Sequence, residues 1–290
     1  SEQAGPMVLA TPPDMLNDLT TEELKKEILA RTDGRNSDKM GEKTRFYERE
    51  LEPLISELSK RNPIPDPKDQ IPVVQGTWTP VWSTIPFQDA LPGRVLDESY
   101  QIFKNNGYYA NMARYAPGSN WKLGWLKFAS FLLALDLIII QKYGVVGDRW
   151  DIENVAIKQS IRFAGEPLSI EKANKWFDDL VPNEAVEGDV KAEMSVENVD
   201  TRATKRLNTA FQSKPVLEHL YIDDDFRVVL SKREENMRPS YTIAVRRGPP
   251  TAVSARNPSL LRRESFFNRP FQSNLLGSRK VMRKLMAARQ

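Results

Sequence analysis

The 290-residue chain contains no cysteine and a single histidine, His219. A disulfide scaffold, a thiol nucleophile, a thiolate metal site and a centre built from several histidines are therefore excluded. Long apolar runs are missing as well. The longest, Leu126 to Ile140 (LKFASFLLALDLIII), has 15 residues, of which 12 are apolar, whereas a helical span needs about 20. Lys127 and Asp136 interrupt it, each costing about 2.5–3.5 kcal/mol near a bilayer centre. Lys122 on one side and Gln141 and Lys142 on the other prevent its extension, so a transmembrane helix is not expected. There is no glycine-rich nucleophile elbow, and no calcium-loop pattern surrounds Asp223, Asp224 and Asp225. Those carboxylates read as a hairpin turn in which one Asp pairs with Arg227 or another arginine. No catalytic constellation can be assembled, and no metal site is expected. The chain starts at Ser1 without a signal-peptide apolar segment and reads as a processed form.

Charge is present in quantity, and it is unevenly placed. From Arg246 to Gln290 there are 11 Lys and Arg against one acid, Glu264, a net of +10. Residues 1–245 hold 31 basic and 38 acidic groups, a net of −7. An acidic body carries a strongly basic tail.

Periodicity divides the chain into four parts. Residues 1–19 read as an extended arm. Residues 20–67 form a helical region and linker: Thr20 with Glu23 makes a capping-box pattern ahead of Leu24, Ile28 and Leu29. A second helical segment runs from Gly41 to Arg61 with a kink or restart at Pro53, and Asn62 to Pro67 (NPIPDP) serves as the linker. Residues 68–245 shift to strand periodicity from Val73, with Val74, Trp78 and Trp82 on one face and Pro80 marking an edge or bulge. Strands over Arg94–Lys104 and Tyr108–Tyr115 flank the hairpin signal Asn106-Gly107. A helix with Trp121, Trp125, Phe128, Leu132 and Leu135 as its stripe precedes a strand over Leu137–Tyr143. Trp150–Phe163 is a long strand whose apolar parity switches near Glu153–Val155, which predicts a bulge. Ser169 caps a helix striped by Ile170, Ala173, Trp176, Phe177 and Leu180. Strands over Lys191–Val199, Leu217–Ile222, Phe226–Leu230 and Tyr241–Val245 complete the body. The order fits an α+β chain with an antiparallel barrel or half-barrel better than a parallel sheet.

The hairpin HLYIDDDFRVVLSKREENMRPSYTIAVRR, together with GTWTPVWST at the start of the sheet, resembles the plastid lipid-associated protein (fibrillin) family. Tyr221, Asp223, Asp225 and Arg227 stand at the family's last-strand positions, with Ile222 and Phe226 in place of leucines. The segment DRWDIENVAIKQSIRFAGEPLSIEKANKWF looks like the cyanobacterial and algal branch. The resemblance covers Thr20 to Val245. It implies a lipocalin-like barrel, peripheral to a plastid or cyanobacterial thylakoid, that binds a lipid, carotenoid or quinone and requires no cofactor or catalytic residue. The insertion at Gly118–Asp136 and the tail after Arg246 depart from the family core.

An eight-stranded barrel can just hold one small ligand. Trp82, Tyr100, Ile102, Tyr108, Trp150, Ile157 and Phe163 are the candidate wall residues, and Trp78 reads as packing near the closed end. The competing reading is a barrel filled by its own side chains, a structural adaptor. In the tail, Phe266, Phe267, Arg269 and Phe271 lead into a helix with Leu275, Met282, Leu285 and Met286 on one side and Arg279, Lys280 and Arg283 on the other. This basic amphipathic segment fits docking onto a photosystem or antenna complex first and an anionic membrane surface second. Nucleic acid is disfavoured by the acidic body and the lack of a binding motif.

Overall fold

The computed structural model describes residues 16–85, 93–116, 132–185, 189–190, 193–194, 214–233 and 237–247. Helix α1 (Thr21–Thr32) opens on the expected capping box, the Glu23 carboxylate accepting the Thr20 amide at 2.8 Å and the Thr20 hydroxyl accepting the Glu23 amide. Leu24 and Ile28 are its buried face. Helix α2 (Met40–Phe46) widens into a π turn at Tyr47–Leu51 and restarts as α3 (Glu52–Ser59). Pro53 lies in the first turn of α3, where its missing donor is tolerated, and the π turn before it is the restart expected at that proline.

The linker reading at Asn62–Pro67 extends too far towards strand. Asp66 caps a further helix, α4 (Pro67–Val74), by accepting the Lys68 amide at 2.8 Å, and Pro67 occupies its first position. Val73 and Val74 therefore end a helix instead of beginning a strand. Gly76, at φ +102°, turns the chain into the sheet, and a Cβ there would stand 3.0 Å from an Arg246 nitrogen.

Among the described residues nine strands follow: β1 (Gly76–Ser83), β2 (Arg94–Phe103), β3 (Tyr108–Tyr115), β4 (Leu133–Val146), β5 (Arg149–Phe163), β6 (Glu193–Met194), β7 (Val216–Ile222), β8 (Phe226–Lys232) and β9 (Ser240–Arg247). Eight of them close into an antiparallel ring in the order β4, β3, β2, β1, β9, β8, β7, β5, with β5 pairing back onto β4. The seam is short, since β5 meets β7 only at Trp150↔Leu217 and Asp151↔Val216. The strand expected at Lys191–Val199 is described only as β6, which pairs in parallel with Ala156 and Ile157 of β5. β4 begins before the expected boundary, so Leu135 belongs to a strand and not to a helical stripe. Trp121, Trp125 and Phe128 lie outside the described residues. The parity switch in β5 is a bulge, with Val155 skipped between the pairs Ile140↔Ala156 and Gln141↔Asn154.

Alternation along the strands, followed through the register, separates two faces. The outer face of β2 to β5 packs under α5 (Ile170–Leu180), where Tyr100, Ile102, Tyr108, Met112, Ile138 and Ile140 meet Ala173 and Phe177. The N-terminal helices lie against the outer face of the β1–β9 side, with Phe46 and Tyr47 at 6.0 and 6.4 Å from the Trp82 ring and Tyr47 stacked on Tyr241 at 3.7 Å. Asp136, the charge inside the apolar run, is fully buried on the outer face. Arg114, its cross-strand partner, grips it at 2.6 and 2.9 Å. Arg114 also bonds the Glu166 carbonyl and lies 3.2 Å from Glu98, which ties the loop before α5 to the sheet.

Candidate ligand site

The ring's interior face is polar at its centre and aromatic at one end. Trp78, Phe103, Tyr109, Tyr143, Trp150 and Ile152 pack there against Val73 and Val74 of α4. α4 acts as the stopper of that end. Its Val74 carbonyl accepts the Trp78 indole at 2.7 Å, its Gln70 side chain accepts the Trp150 indole at 2.9 Å, and Arg246 donates to the Val73 and Gln75 carbonyls. Trp78 thus takes the closed-end packing place expected for it, and Arg246 belongs to β9 and the ring instead of the tail.

Hydrogen bonding settles the protonation of His219. The Gln70 amide nitrogen donates to the Ile64 carbonyl at 2.9 Å, so its oxygen faces both Trp150 and His219 Nδ1, the latter at 3.1 Å. Nδ1 therefore carries the proton, and Nε2 turns its lone pair towards Arg227 at 3.5 Å. Burial, and then the Arg227 charge, hold this imidazole well below its ordinary range.

From Arg227 a chain of side-chain amides crosses the interior. Arg227 donates to Gln101, Gln101 to Asn111 at 2.9 Å, Asn111 to Gln141 at 2.5 Å, and Gln141 to Asn154 at 2.6 Å. β8 and β2 are not neighbours in the sheet, so the first of these bonds spans the ring. The wall candidates did not include any of these residues. A signal was present: Gln101 and Asn111 each sit between apolar neighbours, a pattern of strands buried on both faces.

The wall candidates separate into two groups. Tyr100, Ile102 and Tyr108 face outward beneath α5, the Tyr100 hydroxyl donating to the Leu168 carbonyl at 2.9 Å. Trp82 also faces outward. The register shift between Pro80 and Trp82 inverts its parity relative to Trp78 and delivers it to the N-terminal helices. These four are corrections, because both faces of the sheet are covered and apolarity alone does not tell one from the other. Trp150 and Ile157 lie on the interior face, Ile157 opposite Ile139. Phe163 stands at the end of β5 remote from α4 and is 70% exposed, close in the register to Ile161, 40% exposed, and to Leu133 of β4. Leu132, 65% exposed, precedes β4 at the same end.

Asp223 to Asp225 form the expected turn, but with a lysine as partner. Lys25 of α1 reaches Asp223 and Asp225, each at 2.7 Å, and the Tyr221 hydroxyl donates to Asp223 at 2.6 Å. Burial works against ionisation of Asp223, yet Lys25 holds it below the usual carboxylate range; burial and the Asp223 charge push Asp225 up to about 6. A cleft of about 480 Å³ opens at the β5–β7 seam, lined by Lys142, Arg149, Asp151, Glu153 and Lys214 among others. Its mixed charge suits no apolar molecule. The tail positions from Phe266 to Met286 lie outside the described residues. Comparison with protein-family models and with curated proteins returns no match.

Proposed function

We propose that this chain is a lipocalin-like barrel of the plastid lipid-associated type, peripheral to a thylakoid, which takes a single apolar ligand such as a lipid, carotenoid or quinone. The observation that carries the reading is the two-ended character of the ring. α4 and its aromatics stop one end, while Leu132, Ile161 and Phe163 present apolar surface at the other. Interior positions between the two ends carry small side chains on β2, β3 and β9, namely Ser99, Ala113 and Thr242, opposite the aliphatic Leu137, Ile139 and Ile157. Such a combination is what a barrel needs to admit an elongated molecule. In this reading the basic tail fastens the protein to a photosynthetic complex or to anionic lipid, and no residue is catalytic; His219 is occupied by Gln70 and Arg227.

A second reading has its own observation. The lower interior is already filled by Trp78, Phe103, Tyr109, Tyr143 and Trp150, which favours a self-filled structural adaptor. Organic extraction of the purified full-length protein separates the two. A stoichiometric lipid, carotenoid or quinone in the extract supports the carrier; an empty extract, with no uptake of a fluorescent lipid by the extracted protein, leaves the adaptor.

A further inference from the structure

Arg227 is 2% exposed and projects into the ring. Its guanidinium lies 4.9 Å from the Trp78 ring centre and 4.7 Å from that of Phe103. One nitrogen donates to Gln101, a second faces His219 at 3.5 Å, and Nε has no hydrogen-bond partner. No carboxylate among the described residues pairs with it: Asp223 and Asp225 are bound to Lys25, and Arg246 adds repulsion. Burial pushes the guanidinium down to about 9, which leaves it charged at neutral pH.

A buried cation is costly unless an anion or several hydrogen bonds compensate it. Aromatic faces, the Gln101 oxygen and the His219 Nε2 lone pair compensate Arg227 in part, leaving three of its five donors for something else. Gln101 spends one amide N–H on the chain of amides and keeps a second, whereas the Asn111 amide also bonds the Tyr109 hydroxyl. Beyond this polar floor the β4–β5 wall carries Ile139, Ile157, Leu137, Leu135 and Ile161, interrupted by Gln159 opposite Leu137, and from Asn154 to Phe163 the strand runs about 30 Å to the apolar mouth. Along the β4–β5 wall polarity therefore falls from a cationic floor to an apolar exit, while on β2 Arg94 stands at that end with its Nε donating to Ser99 at 3.2 Å. The floor supplies one uncompensated charge, which matches a monoanion better than a dianionic phosphate.

We infer that the ring holds a long-chain carboxylic acid head-inward, its carboxylate paired with the Arg227 guanidinium and its acyl chain directed towards Phe163. This rests on the carrier reading and adds the headgroup to it. No bond is made or broken. The fork of a guanidinium fits the two oxygens of a carboxylate.

Delipidated full-length protein should be titrated with cis-parinaric acid and with its methyl ester, following ligand fluorescence at pH 7.5 below the micellar concentration. The wild type is expected to bind the acid about tenfold or more tightly than the ester. Arg227→Gln should bring the acid to the level of the ester and leave the ester unchanged, and Arg227→Lys should keep part of the preference. Should Arg227→Gln fail to fold, the acid-to-ester ratio of the wild type and of Arg227→Lys still decides. Equal binding of acid and ester overturns the headgroup assignment while the carrier reading stands. Binding of neither overturns both.

Discussion

His219 is the chain's single imidazole, so acid sensitivity near neutrality can be assigned to one atom pair. Its folded value lies well below 6.5, and in the unfolded chain it returns to about 6.5. The unfolded state then binds more protons, so the contribution to stability is complete above about pH 6.5 and is lost as pH falls towards the folded value, at up to about 1.4 kcal/mol per pH unit. Asp225, raised to about 6, acts in the opposite sense, stability falling as pH rises from about 4 to 6. His219→Gln removes the first effect and keeps the second. Thermal melting of both proteins from pH 7.5 to 5 should show the wild type losing stability relative to the variant; a constant difference would exclude a buried neutral imidazole. Asp136 offers a second test. Asp136→Asn leaves the buried Arg114 with Glu98 at 3.2 Å as its remaining anion and should cost about 3 kcal/mol in urea denaturation, with part recovered when Arg114→Met is added. The sequence marks Asp136 as a break in an apolar run, but its meaning depends on the β3–β4 register that places Arg114 opposite it. Arg227 is hidden for the same reason: it lies next to an acidic turn in sequence, and only alternation sends its side chain to the other face.

Elements were legible where their signals are local. The capping box at Thr20, the Ser169 cap, the Asn106-Gly107 turn and the Val155 bulge each depend on a few adjacent residues. α4 was missed because the prolines around it read as linker, although Asp66-Pro67 is itself a helix start. The docking of α1 involves residues about 200 positions apart, Lys25 with Asp223 and Asp225, and no periodicity reports such a pairing. Burial alone would lower the Lys25 ammonium, yet the two carboxylates hold it raised. Lys25→Met leaves those carboxylates facing each other at the foot of the β7–β8 hairpin. The expected outcome is a loss of about 3 kcal/mol, with amide exchange accelerating in α1 and around Phe226 well before it does in β3 and β4. Uniform acceleration throughout the ring would mean that α1 does not open as a separate unit.

At the scale of the molecule, the order of strands foretold an antiparallel sheet, whereas ring closure rests on two residue pairs between β5 and β7 that no pattern announces. The boundary between ring and tail is also a property of the assembled fold. Arg246 looked like the first residue of a basic extension; instead it lies over Trp78 at 4.2 Å and bonds the Val73 and Gln75 carbonyls that end α4. Burial pushes it down to about 10, with Asp224 the main compensating charge. Two truncations therefore have different consequences. Ending the chain after Val245 removes the clasp between β9 and the stopper helix and should lower stability by several kcal/mol, since buried carbonyls lose a charged donor. Ending it after Arg247 keeps the clasp and should leave melting unchanged, while the chain then holds 33 basic against 38 acidic groups. Without the extension, the proposed attachment to anionic vesicles or isolated thylakoid complexes should disappear, and attachment of the full chain should weaken as salt rises through the range where the Debye length falls from about 10 to 3 Å. Sedimentation with vesicles and with complexes, side by side, tells which surface the tail prefers; retention of the Arg247-terminated protein on both would place the attachment on the ring.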